Sequence, residues 1–201
     1  MDRELRLKFS KALSSMEGKN YIHSIIAYNA AATIEGFKPS SLMTFTSRGK
    51  DAAALWKLYG QGVCTDFSLD YFELKNEDDQ IIVLFYRKKM LERHMSKKSN
   101  QPFMQRMGYG TAVDLEQKLQ KLKQRFETLC PHEIGIFLGI PVEDVEGFIS
   151  HKGKNCLICR YWKVYGDIKR AEVLFKIYDK ARINMAEFLI NLKTNILAEQ
   201  A

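Results

Sequence analysis

Apolar residues recur with helical spacing along most of the chain, and with strand-like character in four shorter stretches. Residues 3–16 and 20–35 follow the helical period, the second with the Ala-rich run Ala27-Tyr28-Asn29-Ala30-Ala31-Ala32. Gly36 is placed to end it as a C-cap, ahead of Lys38-Pro39. Residues 42–46 make a short strand candidate. Residues 51–59 read as helix, and Gly60-Gln61-Gly62 is expected to stop it. Two β-rich runs follow, 63–74 and 80–87. The polar stretch Lys75-Asn76-Glu77-Asp78-Asp79 between them predicts a hairpin. In the second run Ile81, Val83 and Phe85 share one face, and Leu84 and Tyr86 the other.

The second half is mainly helical in rhythm. Residues 88–95 suit a short helix, and 96–111 a loop containing Gly108-Tyr109-Gly110. Thr111 with Asp114 resembles a capping box. Beyond it Leu115, Leu119, Leu122, Phe126 and Leu129 form an amphipathic stripe that reads as core packing. Two short helices are expected over 132–138 and 141–150, with Pro141 at a first helical position. Residues 156–165 form an aromatic-rich strand candidate. Asp167 can cap a final helix that presents Ile168, Ala171, Leu174, Phe175 and Tyr178 on one face. Met185, Phe188, Leu189, Leu192 and Ile196 continue an apolar stripe. It packs on the core or on a second copy, the latter giving a homodimer through the C-terminal helix.

These elements predict an α+β fold: a small mixed or antiparallel sheet including a β-hairpin, packed with several helices, with a helical C-terminus. No repeat or Pro/Gly-rich linker divides the chain. A single α+β domain over 1–182 and a C-terminal helical extension over 183–201 are expected.

Composition narrows the class. With 201 residues, 46% hydrophobic and 27% charged, the chain can bury a full core without staples. No apolar run is long enough for a membrane span, and the charged N-terminus lacks the apolar core of an export signal. A cytoplasmic location is therefore expected, where Cys64, Cys130, Cys156 and Cys159 are thiols, metal ligands or redox groups rather than disulfides. The net charge of +7 is spread over both halves. Its densest cluster is Arg87, Lys88, Lys89, Arg93, Lys97 and Lys98. That is a solvated helix face or an anion-binding patch.

The segment Cys130-Pro131-His132-Glu133-Ile134-Gly135-Ile136-Phe137-Leu138-Gly139-Ile140-Pro141, continuing to Asp144-Val145-Glu146-Gly147-Phe148-Ile149, is dense in unusual residues. Gly153-Lys154-Asn155 and Tyr161-Trp162-Lys163-Val164-Tyr165-Gly166-Asp167 follow it. In this order the segments resemble the bacterial domain-of-unknown-function family thirty-seven ninety-three, found largely in anaerobic Gram-positive bacteria. The resemblance covers residues 130–180 most specifically. It extends upstream through Tyr86-Arg87-Lys88-Lys89 and Thr33-Ile34-Glu35-Gly36-Phe37-Lys38. The family often carries a His-Cys pair before the latter segment, where this chain has Asn29 and Ala30. The resemblance implies a fold and a compartment, and supplies neither an activity nor a cofactor.

The same residues supply the candidate chemistry. His132 and Glu133 are candidate acid–base groups at the start of a helix, although neighbours on a helix point about 100° apart. Glu133 equally suits a helix first turn on dipole grounds. Cys156-Leu157-Ile158-Cys159 is a C-x-x-C without a second knuckle. Cys130, His132 and His151 are the remaining candidates for a metal, haem or redox site. A strand would put the two sulfurs of the C-x-x-C on opposite faces, which favours buried thiols. Tyr161, Lys163 and Tyr165 share one strand face, where the lysine, with Arg160, can hold an anionic small molecule or snorkel over aromatic surface.

Two further patterns are rejected. The Gly147 to Asn155 segment has the wrong spacing for a phosphate-binding P-loop and follows a helix, not a strand. Residues 133–149 have a helix-turn-helix rhythm, but Glu143, Asp144 and Glu146 would repel DNA. The leading expectation is a small-ligand-binding protein or small enzyme with an anion-attracting site near His132 and Lys163. The alternatives are a metal or redox accessory protein and a nucleic-acid-binding regulator.

Overall fold

Three strands, β1 (Ser40–Thr46), β2 (Asp70–Asn76) and β3 (Gln80–Tyr86), form an antiparallel sheet with β3 in the centre. The computed structural model describes residues 2–77 and 79–199, so Asp78 of the expected turn and the side chain of Ile196 lie outside the described part. The hairpin between β2 and β3 is the one the alternation predicts. Both faces of β3 are buried, because helices cover the sheet on each side.

On one face Ile81, Val83 and Phe85 meet α2 (Gly18–Asn29) and α4 (Ala52–Asp66) through Ile22, Ile26, Trp56 and Val63. On the other face Leu84 and Tyr86 meet α5 (Lys88–Met95), α7 (Leu115–Phe126) and α8 (Ile134–Phe137). The remaining helices are α1 (Arg3–Ser14), α3 (Ala31–Ile34), α6 (Gln101–Met104), α9 (Val142–Ser150) and α10 (Ile168–Glu199). A short hairpin, β4 (Ile158–Cys159) with β5 (Lys163–Val164), lies between α9 and α10. The architecture is α+β, with a small antiparallel sheet and a helical C-terminus. Among the described residues, no helix is long and apolar enough to cross a membrane.

Several local expectations change. The helix at residue 52 runs through Gly60 and Gly62 to Asp66, so the stretch after Gly62 is helix and β2 starts only at Asp70. The Trp56 ring lies over Gly60, where an added Cβ would fall 2.3 Å from the ring carbon Cε3. The glycine makes room for a core tryptophan that stacks on Phe45 at 5.2 Å. Residues 96–111 are not a plain loop: α6 runs into a π-helical turn, Gln105–Tyr109, that buries Tyr109 and bends at Gly108 with φ of 82°. Asp114, not Thr111, caps α7, accepting from the Gln117 N–H at 2.8 Å. Leu129 lies past that helix and is exposed. Pro141 is an N-cap in extended conformation instead of a first helical residue.

The last helix is continuous across residues 182 and 183. Ala171, Phe175, Tyr178 and Ala181 pack with Ala31, Ala32, Trp162 and Val164. Further along, Ala186 and Leu189 pack with Phe9 of α1 and Ala27 of α2. Phe188 and Leu192 are exposed.

Candidate functional site

The segment from Cys130 to Leu138 enters α8 through a tight turn in which the Gly135 N–H donates to the His132 carbonyl at 3.1 Å. Two glycines then set how closely the chain packs. A Cβ on Gly135 would sit 2.7 Å from Val145 of α9, so α8 and α9 touch nearly backbone to side chain. Gly139, at φ of 81°, turns the chain against Pro39, where an added Cβ would fall 2.7 Å from the Pro39 Cδ. The rhythm that resembles a helix-turn-helix is therefore explained by the packing of two short helices.

Residues 156–165 are not one strand. The chain reverses between Cys159 and Lys163, and the Arg160 N–H donates to the Trp162 carbonyl at 3.1 Å. Asp144 of α9, 2% exposed, holds this hairpin in place. Its carboxylate accepts from Trp162 Nε1 at 2.7 Å, from the Tyr165 N–H at 2.7 Å and from the Gly166 N–H at 2.8 Å. Three donors on one buried carboxylate satisfy it without a cationic partner.

This clamp brings the hairpin against the α8–α9 corner and leaves a cleft of ≈ 390 Å³ between them. Its walls are largely apolar: Ile134, Leu138, Ile140, Val145, Phe148 and Trp162. The polar groups it collects are Cys130, His132, Cys159, Arg160, Tyr161 and Lys163, together with Asp144, whose carboxylate is taken up by its three donors. Chain positions about thirty residues apart, His132 and Lys163 among them, thus line one cavity. The His132 ring meets the Phe148 ring edge to face, with centroids 5.4 Å apart. Lys163 lies 5.7 Å from the centroid of the same Phe148 ring and donates to the Gly153 carbonyl at 2.7 Å. Arg160 pairs with Asp179 of α10 at 2.7 Å, and the Tyr161 hydroxyl donates to the same carboxylate at 3.0 Å.

Other sequence candidates lie elsewhere. Glu133 is 1% exposed; its carboxylate takes the Tyr109 hydroxyl at 3.2 Å and pairs with Arg125, tying α8 to α7. It does not line the cleft; with His132 it borders a separate recess next to Arg125 and Ile149. Tyr165 stacks on His151 with centroids 5.2 Å apart, and its buried hydroxyl has no hydrogen-bond partner among the described residues. Burial, then Cys156 and Cys159, push that hydroxyl's pKa up. Of the C-x-x-C, Cys159 lines the cleft and Cys156, outside the β4–β5 hairpin, does not.

All four cysteines are free thiols. Burial raises the Cys64 thiol to about 12, and burial with Glu133 raises that of Cys130, which makes both poor thiolates at neutral pH. Among the described residues no three His, Cys, Asp or Glu side chains are grouped to hold a metal ion. Of the basic cluster, Arg87 is structural, donating through Nε to the Thr33 carbonyl at 2.8 Å. Lys88, Lys89, Arg93, Lys97 and Lys98 are exposed. Asp144 escaped the sequence reading, where it counted only as negative charge; the aromatic and amide donors that need it are distant in the chain.

Compared with known families, residues 26–197 match the one described as protein of unknown function, DUF3793. The chain belongs to this family. The match takes in the sheet, the α8–α9 corner, the β4–β5 hairpin and most of α10, so the cleft lies wholly inside the DUF3793 region. No curated protein and no solved structure matches the chain.

Proposed function

We propose that this DUF3793 protein binds a small molecule with an apolar body and an anionic group in the cleft between the α8–α9 corner and the β4–β5 hairpin. The observation that carries the reading is the convergence of His132, Arg160 and Lys163 on one apolar cavity. A cavity of ≈ 390 Å³ has the size of a small-ligand pocket, and apolar walls with a few polar groups are what such pockets require. Apolar walls supply affinity, while the guanidinium and ammonium select an anionic end. The imidazole of His132 is the group in the cleft that can both donate and accept a proton, should the bound molecule be a substrate.

Trp162 lines the cleft and reports on it. Titration with 8-anilinonaphthalene-1-sulfonate, an aromatic body with a sulfonate, is expected to give saturable one-to-one binding with energy transfer from tryptophan. Lys163→Met combined with Arg160→Gln is expected to weaken binding at least fivefold in a protein that still unfolds cooperatively. Binding that does not saturate, or an affinity unchanged by the double substitution, would refute the reading.

A further inference from the structure

A second cavity lies on the other side of Tyr161, between α10 and the open edge of the sheet. Lys38 enters it from the chain reversal after α3, where Gly36 has φ of 77° and the Lys38 N–H donates to the Ala32 carbonyl at 3.0 Å. The Lys38 ammonium lies 5.9 Å from the centroid of the Tyr178 ring. Arg182, one turn further along α10, has its guanidinium 5.4 Å from the Tyr28 ring and 5.3 Å from the Tyr161 ring. Neither cation has an ion pair among the described residues, where the salt bridges involve other groups. The nearby acid on α10, Asp179, is engaged by Arg160 and by the Tyr161 hydroxyl.

Around these two cations the fold leaves an outer chamber of ≈ 300 Å³ and an inner one of ≈ 40 Å³. Asn29, Lys38, Ser41 and Arg182 line both. The outer chamber is bordered by four consecutive residues of β1, Ser41 to Thr44. Consecutive strand residues point to alternate faces, so a cavity that touches all four meets the strand along its edge. β1 is an edge strand, paired only with β3. An edge offers backbone N–H donors as well as the Thr44 hydroxyl.

We propose that this recess is an oxyanion site that takes a phosphate group, free or as a monoester. Two adjacent cations, brought together from either side of the fold without a carboxylate between them, repel each other in the empty site. A phosphate monoester carries close to two negative charges at neutral pH, enough to offset both. The guanidinium offers a planar fork to two oxygens and the ammonium a point charge to a third. The environment of Lys38 agrees: burial first, and Arg182 second, bring its pKa down to about 8, the condition of a cation that lacks its counter-charge. This site is separate from the cleft that holds Lys163, with Tyr161 in the wall of both.

The test is calorimetric titration of the full chain with inorganic phosphate, then with phenyl phosphate, at pH 7 and constant ionic strength. One-to-one binding of inorganic phosphate is expected, weakened at least tenfold by Lys38→Met and by Arg182→Met and unchanged by Lys163→Met; phenyl phosphate is titrated into protein carrying Lys163→Met and Arg160→Gln, so that the cleft does not contribute to the binding that is read. Tighter binding of phenyl phosphate than of inorganic phosphate would identify a phosphorylated small molecule as the ligand class; equal binding would identify the phosphate group alone. Should either variant fail to fold, acetylation of the unaltered protein read by mass spectrometry replaces it. Phosphate is then expected to slow modification of Lys38 at least fivefold relative to exposed Lys88. Affinity unchanged in both variants, or equal labelling of Lys38 with and without phosphate, overturns the proposal.

Discussion

Asp144 holds the β4–β5 hairpin through one carboxylate that serves three donors, and the consequences of losing it are specific. Hydrogen bonds to a buried charged group are each worth about 1.5–3 kcal/mol, and donors left unpaired keep their desolvation cost. Asp144→Ala strands the Trp162 indole N–H and two backbone N–H groups, so a loss of about 3 kcal/mol or more is expected in urea denaturation. Asp144→Asn keeps one acceptor oxygen but turns a donor toward other donors, and an intermediate loss is expected. Near-ultraviolet circular dichroism of Trp162 checks that the hairpin is what loosens. His94 gives a residue-scale prediction of the opposite kind. Its ring lies in a half-buried position beside Asn100, with Lys97 on its own helix turn, Arg170 of α10 facing it and the Ile136 carbonyl accepting from it. Burial first, then Lys97, bring its pKa down from 6.5 to about 4. Between those values the unfolded chain binds more protons than the folded one, so stability falls as pH falls from 6.5 toward 4. His94→Gln is expected to remove that part of the acid sensitivity, on the order of 1–2 kcal/mol once solvent screening of a half-buried ring is allowed for, and to leave stability above pH 7 nearly unchanged. Acid titrations of both proteins, followed by fluorescence, check it.

At the scale of elements, glycines separate what the sequence makes legible from what it does not. The hairpin of β2 and β3, the amphipathic stripe of α7 and the Asp167 cap of α10 are local patterns, and each follows from spacing alone. Gly60 and Gly62 read as a helix stop because glycine weakens helices, yet tertiary packing overrides that preference by placing Trp56 over Gly60. Gly62 and Gly147 of α9 therefore predict opposite outcomes on substitution by alanine. Gly62 has nothing within 4 Å of an added Cβ, and Gly62→Ala is expected to raise stability by about 0.5–1 kcal/mol. Gly147 faces Tyr165, where an added Cβ would fall 2.4 Å from the Tyr165 Cβ, so Gly147→Ala must push α9 off the hairpin. A loss of about 1–3 kcal/mol is expected, and the narrow cleft beside it should bind the anilinonaphthalene probe less tightly. Thermal unfolding of the pair checks the two signs in one experiment.

At the scale of the whole molecule, the contents of the cleft were readable as residue types and only partly as an arrangement. His132, Arg160, Tyr161 and Lys163 stood out as chemistry, and the fold brings them together with Cys130 and Cys159. Glu133 and Tyr165 stood out equally and face elsewhere, because direction within a turn is set by packing that adjacency does not encode. Lys38 stood only in the segment after the Gly36 cap that resembles the family, with no chemistry attached to it; Tyr178 and Arg182, which lie beside it, come from the far end of the chain. The same long-range packing bears on residues 183–201, expected as an extension. Ala186 and Leu189 are 0% and 1% exposed, covering Phe9 of α1 and Ala27 of α2. The Phe9 ring also lies 4.5 Å from that of Tyr28, whose face carries Arg182. Ending the chain after Arg182 removes a buried leucine and re-exposes most of Phe9, each worth about 2 kcal/mol. A loss of about 4 kcal/mol is expected, a large fraction of the stability of an ordinary domain, with early proteolysis within α1. The phosphate affinity of the truncated chain is expected to fall as well, because Tyr28 loses its packing and with it the hold on Arg182. Unchanged unfolding and intact α1 in the shortened chain would instead make 183–201 an appendage to a fold complete at residue 182.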